Sequence, residues 1–294
     1  MVTILIMVAA VMGILCLILS LYYNQALEAV HYQIEDEEIP DAFLGSRIVL
    51  LSDLHNDTFG EDNTRLLQAI DSEKPDYIMI AGDLLVKAKK LYTANTVTLL
   101  KELAKKYPVY YAPGNHEEEL ERQFLEAGAY QAFIQNITEA GVHYLVNESV
   151  YLEKAGEKIR VTGLHLEKKY FPKFYKRVDL ETGELNKKIG ERKQEYTILL
   201  AHNPIYFPVY ARWGANLVLS GHVHGGVVIL PFLGGVLSTT FELFPKYDYG
   251  LFKYGKAKMV LSKGLAMHTI KIRLFNKPEI SVIDLGKRKR LAQK

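Results

Sequence analysis

A single cysteine, Cys16, in 294 residues excludes an internal disulfide framework and any zinc cluster built on thiolates. A metal held by this chain must therefore sit on nitrogen and oxygen ligands. Charge of one sign is also lacking: 36 Lys and Arg against 34 Asp and Glu leave a formal +2, too little for a field that gathers nucleic acid, which is not expected as a partner. No charged side chain occurs in the first 22 residues, and no Lys or Arg before Arg47. No internal repeat is present, which excludes a solenoid.

The uncharged start is rich in Ile, Leu, Val, Met and Ala and long enough to cross a bilayer as one helix. A cleaved signal peptide is the rival reading, but it has a basic start, a shorter apolar stretch and an A-x-A-like end, none of which is clear here. Leu15 before Cys16 is too large for a lipoprotein cleavage site. Residues 1–23 are thus read as a retained signal anchor, making this a single-pass protein of the cell membrane. Neither flank carries a basic mark, while Glu28, Glu35, Asp36, Glu37 and Glu38 follow the helix closely, so the downstream domain is expected outside the cytoplasm, with a cytoplasmic domain as the alternative. Residues 24–45, acidic and with Pro40, read as a linker holding the domain off the bilayer. The length left suits one sizeable domain over residues 46–286, followed by a basic, solvated tail, 287–294.

Short apolar runs at 47–52 (RIVLLS), 77–81 (YIMIA), 109–112 (VYYA), 159–162 (IRVT), 197–201 (TILLA) and 217–220 (LVLS) have the composition of buried strands. Helical stretches at 64–72, 95–106 and 124–140 alternate with them, as in α/β proteins. Two insertions break the rhythm. Residues 167–195 are too polar for core and suit a cap; residues 227–254, with Pro231, Gly234, Gly235, Phe241 and Phe244, suit an ordered loop.

Chemistry-bearing residues follow several of the strands in a fixed order: Asp53-Leu54-His55, Gly82-Asp83, Gly114-Asn115-His116-Glu117, His202, and Gly221-His222-Val223-His224. Each alone is weak, since Gly-Asp and Asp-x-His arise often by chance. Five in order at strand ends are not coincidence. They supply seven groups for divalent cations, Asp53, His55, Asp83, Asn115, His202, His222 and His224, and the order reads as a two-metal site in which Asp83 is available as a bridge. Mn, Fe, Zn and Mg all accept such ligands.

This series resembles the calcineurin-like metallophosphoesterase superfamily, whose pattern is D-x-H, G-D, G-N-H-E/D, H and G-H-x-H. Residues 213–220, Phe244-Pro245-Lys246-Tyr247-Asp248 and Phe275-Asn276-Lys277-Pro278-Glu279 are similar to its YkuE-like, membrane-associated bacterial branch. Val227 and the stretch Leu265-Ala266-Met267-His268 depart from that branch. The resemblance implies an α/β fold of the metallophosphoesterase type: a four-layer β-sandwich flanked by helices, here with an N-terminal transmembrane helix. It implies one metal on Asp53, His55 and His224, a second on Asn115, His202 and His222, and Asp83 between them. Hydrolysis of a phosphomonoester, phosphodiester or pyrophosphate by a metal-bridging hydroxide is implied, with His116 as general acid; Glu117 either orients it or is a solvated residue at a helix start. The anchor favours a lipid-linked or envelope substrate. The alternatives are a tethered phosphatase or phosphodiesterase of soluble nucleotides, and a non-catalytic metal-binding scaffold.

His31, His143, His165 and His268 belong to no motif and are expected to be structural. Asn56 and Asp57 are expected to shape the loop after His55. Lys168, Lys169, Tyr170, Phe171, Lys173, Phe174, Tyr175, Lys176 and Arg177 interleave cations with aromatics, as in an amphipathic cap or a lipid-facing surface. Lys246 and Tyr247 are placed for phosphate contact or for packing. Oligomeric state leaves no mark on the sequence.

Overall fold

The computed structural model describes residues 1–124, 128–171, 178–226, 228–230, 234–236, 242–268 and 271–287; Val227, Phe241, residues 172–177 and the basic tail beyond Lys287 lie outside them. The apolar runs form strands in which alternate residues face opposite sides. In β2 (Arg47–Leu51), after β1 (Glu28–Glu35), Ile48 and Leu50 enter one core while Val49 and Leu51 enter another. β3 (Tyr77–Ala81), β4 (Val109–Ala112) and β5 (Val142–Tyr144) extend the sheet in parallel, and the last strand of the chain closes its other side.

The second sheet begins with β6 (Glu148–Lys154), β7 (Glu157–Leu164), β8 (Tyr196–Ala201) and β9 (Leu217–Ser220). After a small pair, β10 (Ile229–Leu230) and β11 (Gly234–Gly235), come β12 (Gly250–Tyr254), β13 (Ala257–Leu261) and β14 (Glu279–Gly286). The two six-stranded sheets run β1-β14-β2-β3-β4-β5 and β12-β13-β9-β8-β7-β6.

Ile48, Leu50, Met79, Ile198, Leu200 and Leu219 meet between the sheets. The outer face of the first sheet is covered by α2 (Thr64–Glu73), α3 (Ala94–Ala104), α4 (Asn115–Phe124) and α5 (Ala129–Glu139), which follow the N-terminal α1 (Val2–Gln25). The outer face of the second is covered by α6 (Thr182–Ile189) and α7 (Phe207–Trp213). Helices, sheet, sheet, helices make the four layers expected.

Two expectations need correction. Residues 124–140 are not one helix, because α4 ends at Phe124 and α5 starts only after Gly128, whose φ of 64° breaks the turn. Residues 24–45 are not a spacer. β1 pairs in parallel with β14, and Ile34, Ile39 and Phe43 are buried in the core between the sheets. Ile34, Ile39 and Phe43 are spaced too irregularly, among too many acids, for any one period to announce them.

α1 is long and apolar enough to cross a membrane, and none of its apolar window is buried within the protein. Only Ala26 and Leu27 separate it from β1.

Candidate metal centre

Parallel strands bring their carboxyl ends to one edge of the sandwich, where α/β proteins place their sites. β2 delivers Asp53 and His55, β3 delivers Asp83, and β4 runs into Asn115 and His116 at the start of α4; from the second sheet β8 delivers His202 and β9 delivers His222 and His224. Two sheets thus contribute to one crevice. Close packing at this edge demands glycine: a Cβ on Gly221 would overlap Ser52 Oγ and Asp53 Oδ2, and one on Gly114 would overlap Asp83 Oδ1.

The side chains converge in two overlapping groups. Asp53, His55 and His224 offer ligand atoms within 4.8 Å of one another, and so do Asp83, His202 and His222. Asp83 also falls within 4.8 Å of His55 and His116, which places it between the two groups. Asn115 Oδ1 is buried without a hydrogen-bond partner, an acceptor that only a cation or a donor from outside the protein satisfies.

The ring tautomers distinguish two of the histidines. His202 Nδ1 meets the Ala81 carbonyl at 2.6 Å and must donate to it, so its Nε2 lone pair faces Asp83 Oδ2 at 3.0 Å and Asp53 Oδ1 at 3.8 Å. A lone pair aimed at two carboxylates is repulsive unless a metal ion stands between them or the nitrogen itself takes up a proton. His116 is the reverse: its Nδ1 accepts from the Lys87 N–H at 2.8 Å, so in the neutral ring the proton rests on Nε2, 3.9 Å from Asp83 Oδ2. His116 therefore presents a donor, although it too lies within ligand distance of Asp83.

Without metal, protons must serve as the cations. Burial alone would lower His202, but Asp83 and Asp53 outweigh it and lift the imidazolium to about 10. Burial raises Asp53 to about 6, with the Asp83 charge adding to it. Burial would also raise Asp83, yet His202, His116 and His55 hold it well below the usual carboxylate range. Burial keeps His55 and His224 far below the imidazole range and His222 at about 3, leaving three neutral rings with lone pairs to share.

The backbone carries strain at the same residues. Asp53, His55, Asp83, His222 and His224 all have positive φ, between 51° and 79°. At about 1–2 kcal/mol each for an L-residue, such positions persist only where surrounding structure enforces them, and they cluster where geometry serves a site.

Other expectations turn out differently. Glu117 does not touch His116; its buried carboxylate accepts from the N–H groups of Asp83, Leu85 and Gly114 and from Tyr111, tying the Asp83 loop to the Gly114 loop. His268 is not a structural residue of the core: its exposed ring lies 4.5 Å from His116 and 4.8 Å from His55, at the crevice. Tyr247 packs on Phe207 and Phe252 with Lys246 over its ring, so this pair is packing. From the 167–195 insertion, Phe171 reaches the site, 5.1 Å from His222. Asn56 accepts from Thr96, and Asp57 pairs with Lys271.

The sequence left Asn276 and Arg273 without roles. Asn276 Nδ2 donates to the His224 and Gly226 carbonyls at 2.8 and 2.7 Å, clamping the last ligand loop. Buried Arg273 donates to the Lys263, Gly264 and Ala266 carbonyls beneath it. Asn276 lies within Phe275-Asn276-Lys277-Pro278, the one signal that marked the segment; nothing in the sequence marks Arg273.

Residues 46–226 match the calcineurin-like phosphoesterase family. The chain is 28% identical over 270 residues to the metallophosphoesterase YkuE of Bacillus subtilis, covering 88% of this chain and 85% of that one. It is 23% identical over 244 residues to the phosphodiesterase YaeI of Escherichia coli, covering 81% and 82%. A transmembrane protein with metallophosphoesterase domain from Bos taurus is 29% identical over 263 residues, 84% of this chain and 54% of that protein. With that match spanning every strand that feeds the crevice, the chain belongs to the calcineurin-like phosphoesterase family and is a metal-dependent phosphoester hydrolase.

Proposed function

We propose that the protein is a membrane-anchored, dinuclear-metal phosphoesterase acting on a phosphodiester, phosphomonoester or pyrophosphate, on an envelope or lipid-linked substrate. One observation carries the metal reading: two clusters of buried and half-buried ligand atoms meet at Asp83, and beside them Asn115 Oδ1 is buried without a hydrogen-bond partner. Asp53, His55 and His224 would hold one ion, and Asn115, His202 and His222 the other, with Asp83 shared. Two divalent ions supply charge neutralisation at phosphoryl oxygens and acidify a water into a nucleophile at neutral pH.

The chain's own residues do the rest. The Ala81 carbonyl keeps the His202 ring in the tautomer whose Nε2 is a ligand. The Lys87 N–H keeps the His116 proton on Nε2, where it can pass to a departing alkoxide. Glu117, by gripping three backbone N–H groups, sets the spacing of the Asp83 and Asn115 loops. The Bos taurus relative is named for its membrane segment and the Escherichia coli one for diester cleavage, which supports α1 as an anchor and a phosphodiester as first substrate. The acidic residues after α1 favour an extracytoplasmic domain.

The test is turnover of bis-p-nitrophenyl phosphate by the full chain in detergent, with and without Mn. Release of p-nitrophenol that vanishes on chelation and returns with Mn is expected; turnover that ignores the chelator overturns the reading.

A further inference from the structure

The end of α1 is built into the globular domain. Ser20, the buried residue of that helix, accepts from the Arg273 N–H at 3.1 Å and donates to the Lys271 carbonyl at 3.3 Å. Asn24 donates to the same carbonyl at 2.8 Å, Arg65 donates to the Gln25 carbonyl at 2.6 Å, and the Tyr23 ring lies 5.9 Å from that of Phe275. The domain does not hang from a flexible stalk.

Depth follows from helix geometry. At about 1.5 Å per residue, the roughly 30 Å of a hydrocarbon core takes up about 20 residues. Counted from the start of α1, that thickness ends near Ser20 and Leu21, so the contact with residues 271–273 falls where acyl chains give way to headgroups. Residues 271–275 must share that depth. Their outward side chains suit it: Ile272 is 44% and Phe275 56% exposed. The neighbouring backbone continues the surface, from Leu274 to Val228, from Val228 to Val236, and on to Phe244, 57% exposed. In water such side chains are a liability, whereas at a bilayer interface aromatic and aliphatic groups are stabilised.

The same segment borders the metal centre. His268, beside His116 and His55, precedes Lys271 by three residues, a reach of at most about 11 Å. Lys271 pairs with Asp57 at 2.8 Å, two residues beyond His55, and Asn276 next to Phe275 clamps the His224 loop. Headgroups occupy about 5–8 Å on each side of the hydrocarbon, so the crevice stands within reach of their phosphates.

We propose that residues 271–275, with Ile272 and Phe275 dipping into the interface, are a second membrane contact fixed to α1. They hold the crevice mouth at the headgroup layer, and the substrate is a phosphoester carried by a lipid of that same leaflet. This rests on the phosphoesterase reading and on α1 as the anchor.

The experiment uses the full chain in vesicles of phosphatidylethanolamine and phosphatidylglycerol. Two probes share one leaving group: dioleoylglyceryl p-nitrophenyl phosphate in the bilayer, and methyl p-nitrophenyl phosphate in water. Ile272→Glu with Phe275→Glu should lower turnover of the lipid probe about tenfold or more and leave the soluble probe within about twofold. Unchanged turnover of the lipid probe in the double variant, or no turnover of it by the parent chain while the soluble probe is cleaved, overturns the proposal. Silence on both probes, with Mn present, overturns the phosphodiesterase reading and the lipid-substrate proposal with it. The contact itself has a separate readout, should the double variant fold poorly. The added fluorescence of Phe275→Trp should be quenched by lipids brominated near the headgroup more than by lipids brominated deep in the chains, and absence of quenching overturns the membrane contact.

Discussion

The Nδ1 atom of His116 accepts a hydrogen bond of 2.8 Å from the backbone N–H of Lys87. In the neutral ring the proton therefore points into the crevice, toward Asp83, as the proposed role of donor to a leaving group requires. His116→Asn and His116→Ala should keep the metals and lower kcat by roughly a hundredfold on alkyl esters. Activated aryl esters, whose leaving oxygen hardly needs a proton, should lose much less. Equal losses on both substrate types would assign His116 another role.

Asp83 stands between the two ligand groups, so its removal should affect both metals. The purified chain reconstituted with Mn or Zn should hold about two equivalents, and Asp83→Ala fewer than one. Elemental analysis after desalting decides this. Full occupancy in the variant would contradict a shared carboxylate.

Asn276 fixes the carbonyls of His224 and Gly226 through its side-chain amide. Asn276→Ala frees that loop and should weaken metal binding roughly 10–100-fold, the usual scale for a partner that orients a ligand. Competition against a chelator of known affinity measures it. An unchanged constant would show that the loop holds itself.

The metal-free protein should lose stability as pH falls. Burial keeps His55, His222 and His224 unprotonated in the folded chain, whereas in the unfolded chain they take up protons below about 6.5. Asp53, raised by burial to about 6, works in the opposite sense and offsets about one of these three protons. His165, also lowered by burial, adds to the histidine side, while Glu117 and Glu279, raised by burial, add to the carboxylate side at the acid end of the range; the histidines titrate first, so stability should decline as pH falls below about 6.5. Thermal midpoints of the chelator-treated protein in detergent check the slope; a level or rising midpoint toward acid would refute it.

An extracytoplasmic domain should be cut by protease added to intact cells, while α1 stays in the membrane fraction after carbonate washing. Protection until the membrane is broken would put the domain in the cytoplasm. Release by carbonate would remove α1 as an anchor.

Strands whose side chains alternate between two apolar cores are legible as short apolar runs, because both faces impose the same composition. All six such runs, from the one at 47–52 to the one at 217–220, are strands here. β1 escaped, since it lies at a sheet edge with one face toward water and reads as acidic linker. The split between α4 and α5 escaped too, because Gly128 needs a positive φ that composition does not reveal.

At the site, the order of residue types after the strands is enough to name Asp53, His55, Asp83, Asn115, His202, His222 and His224, while the role of His116 comes with the family resemblance. Every strand they follow is parallel to its neighbours in the crevice, so sequence position after a strand translates directly into position in space. The uncharged start of the chain likewise set its own length against a bilayer. Which nitrogen of His116 and of His202 carries the proton, what Glu117 grips, and that His268, Arg273 and Asn276 border the centre were decided only by tertiary structure. These depend on contacts between residues far apart in the chain, such as His224 with Asn276 or Ser20 with Arg273, and no local pattern encodes a partner that distant.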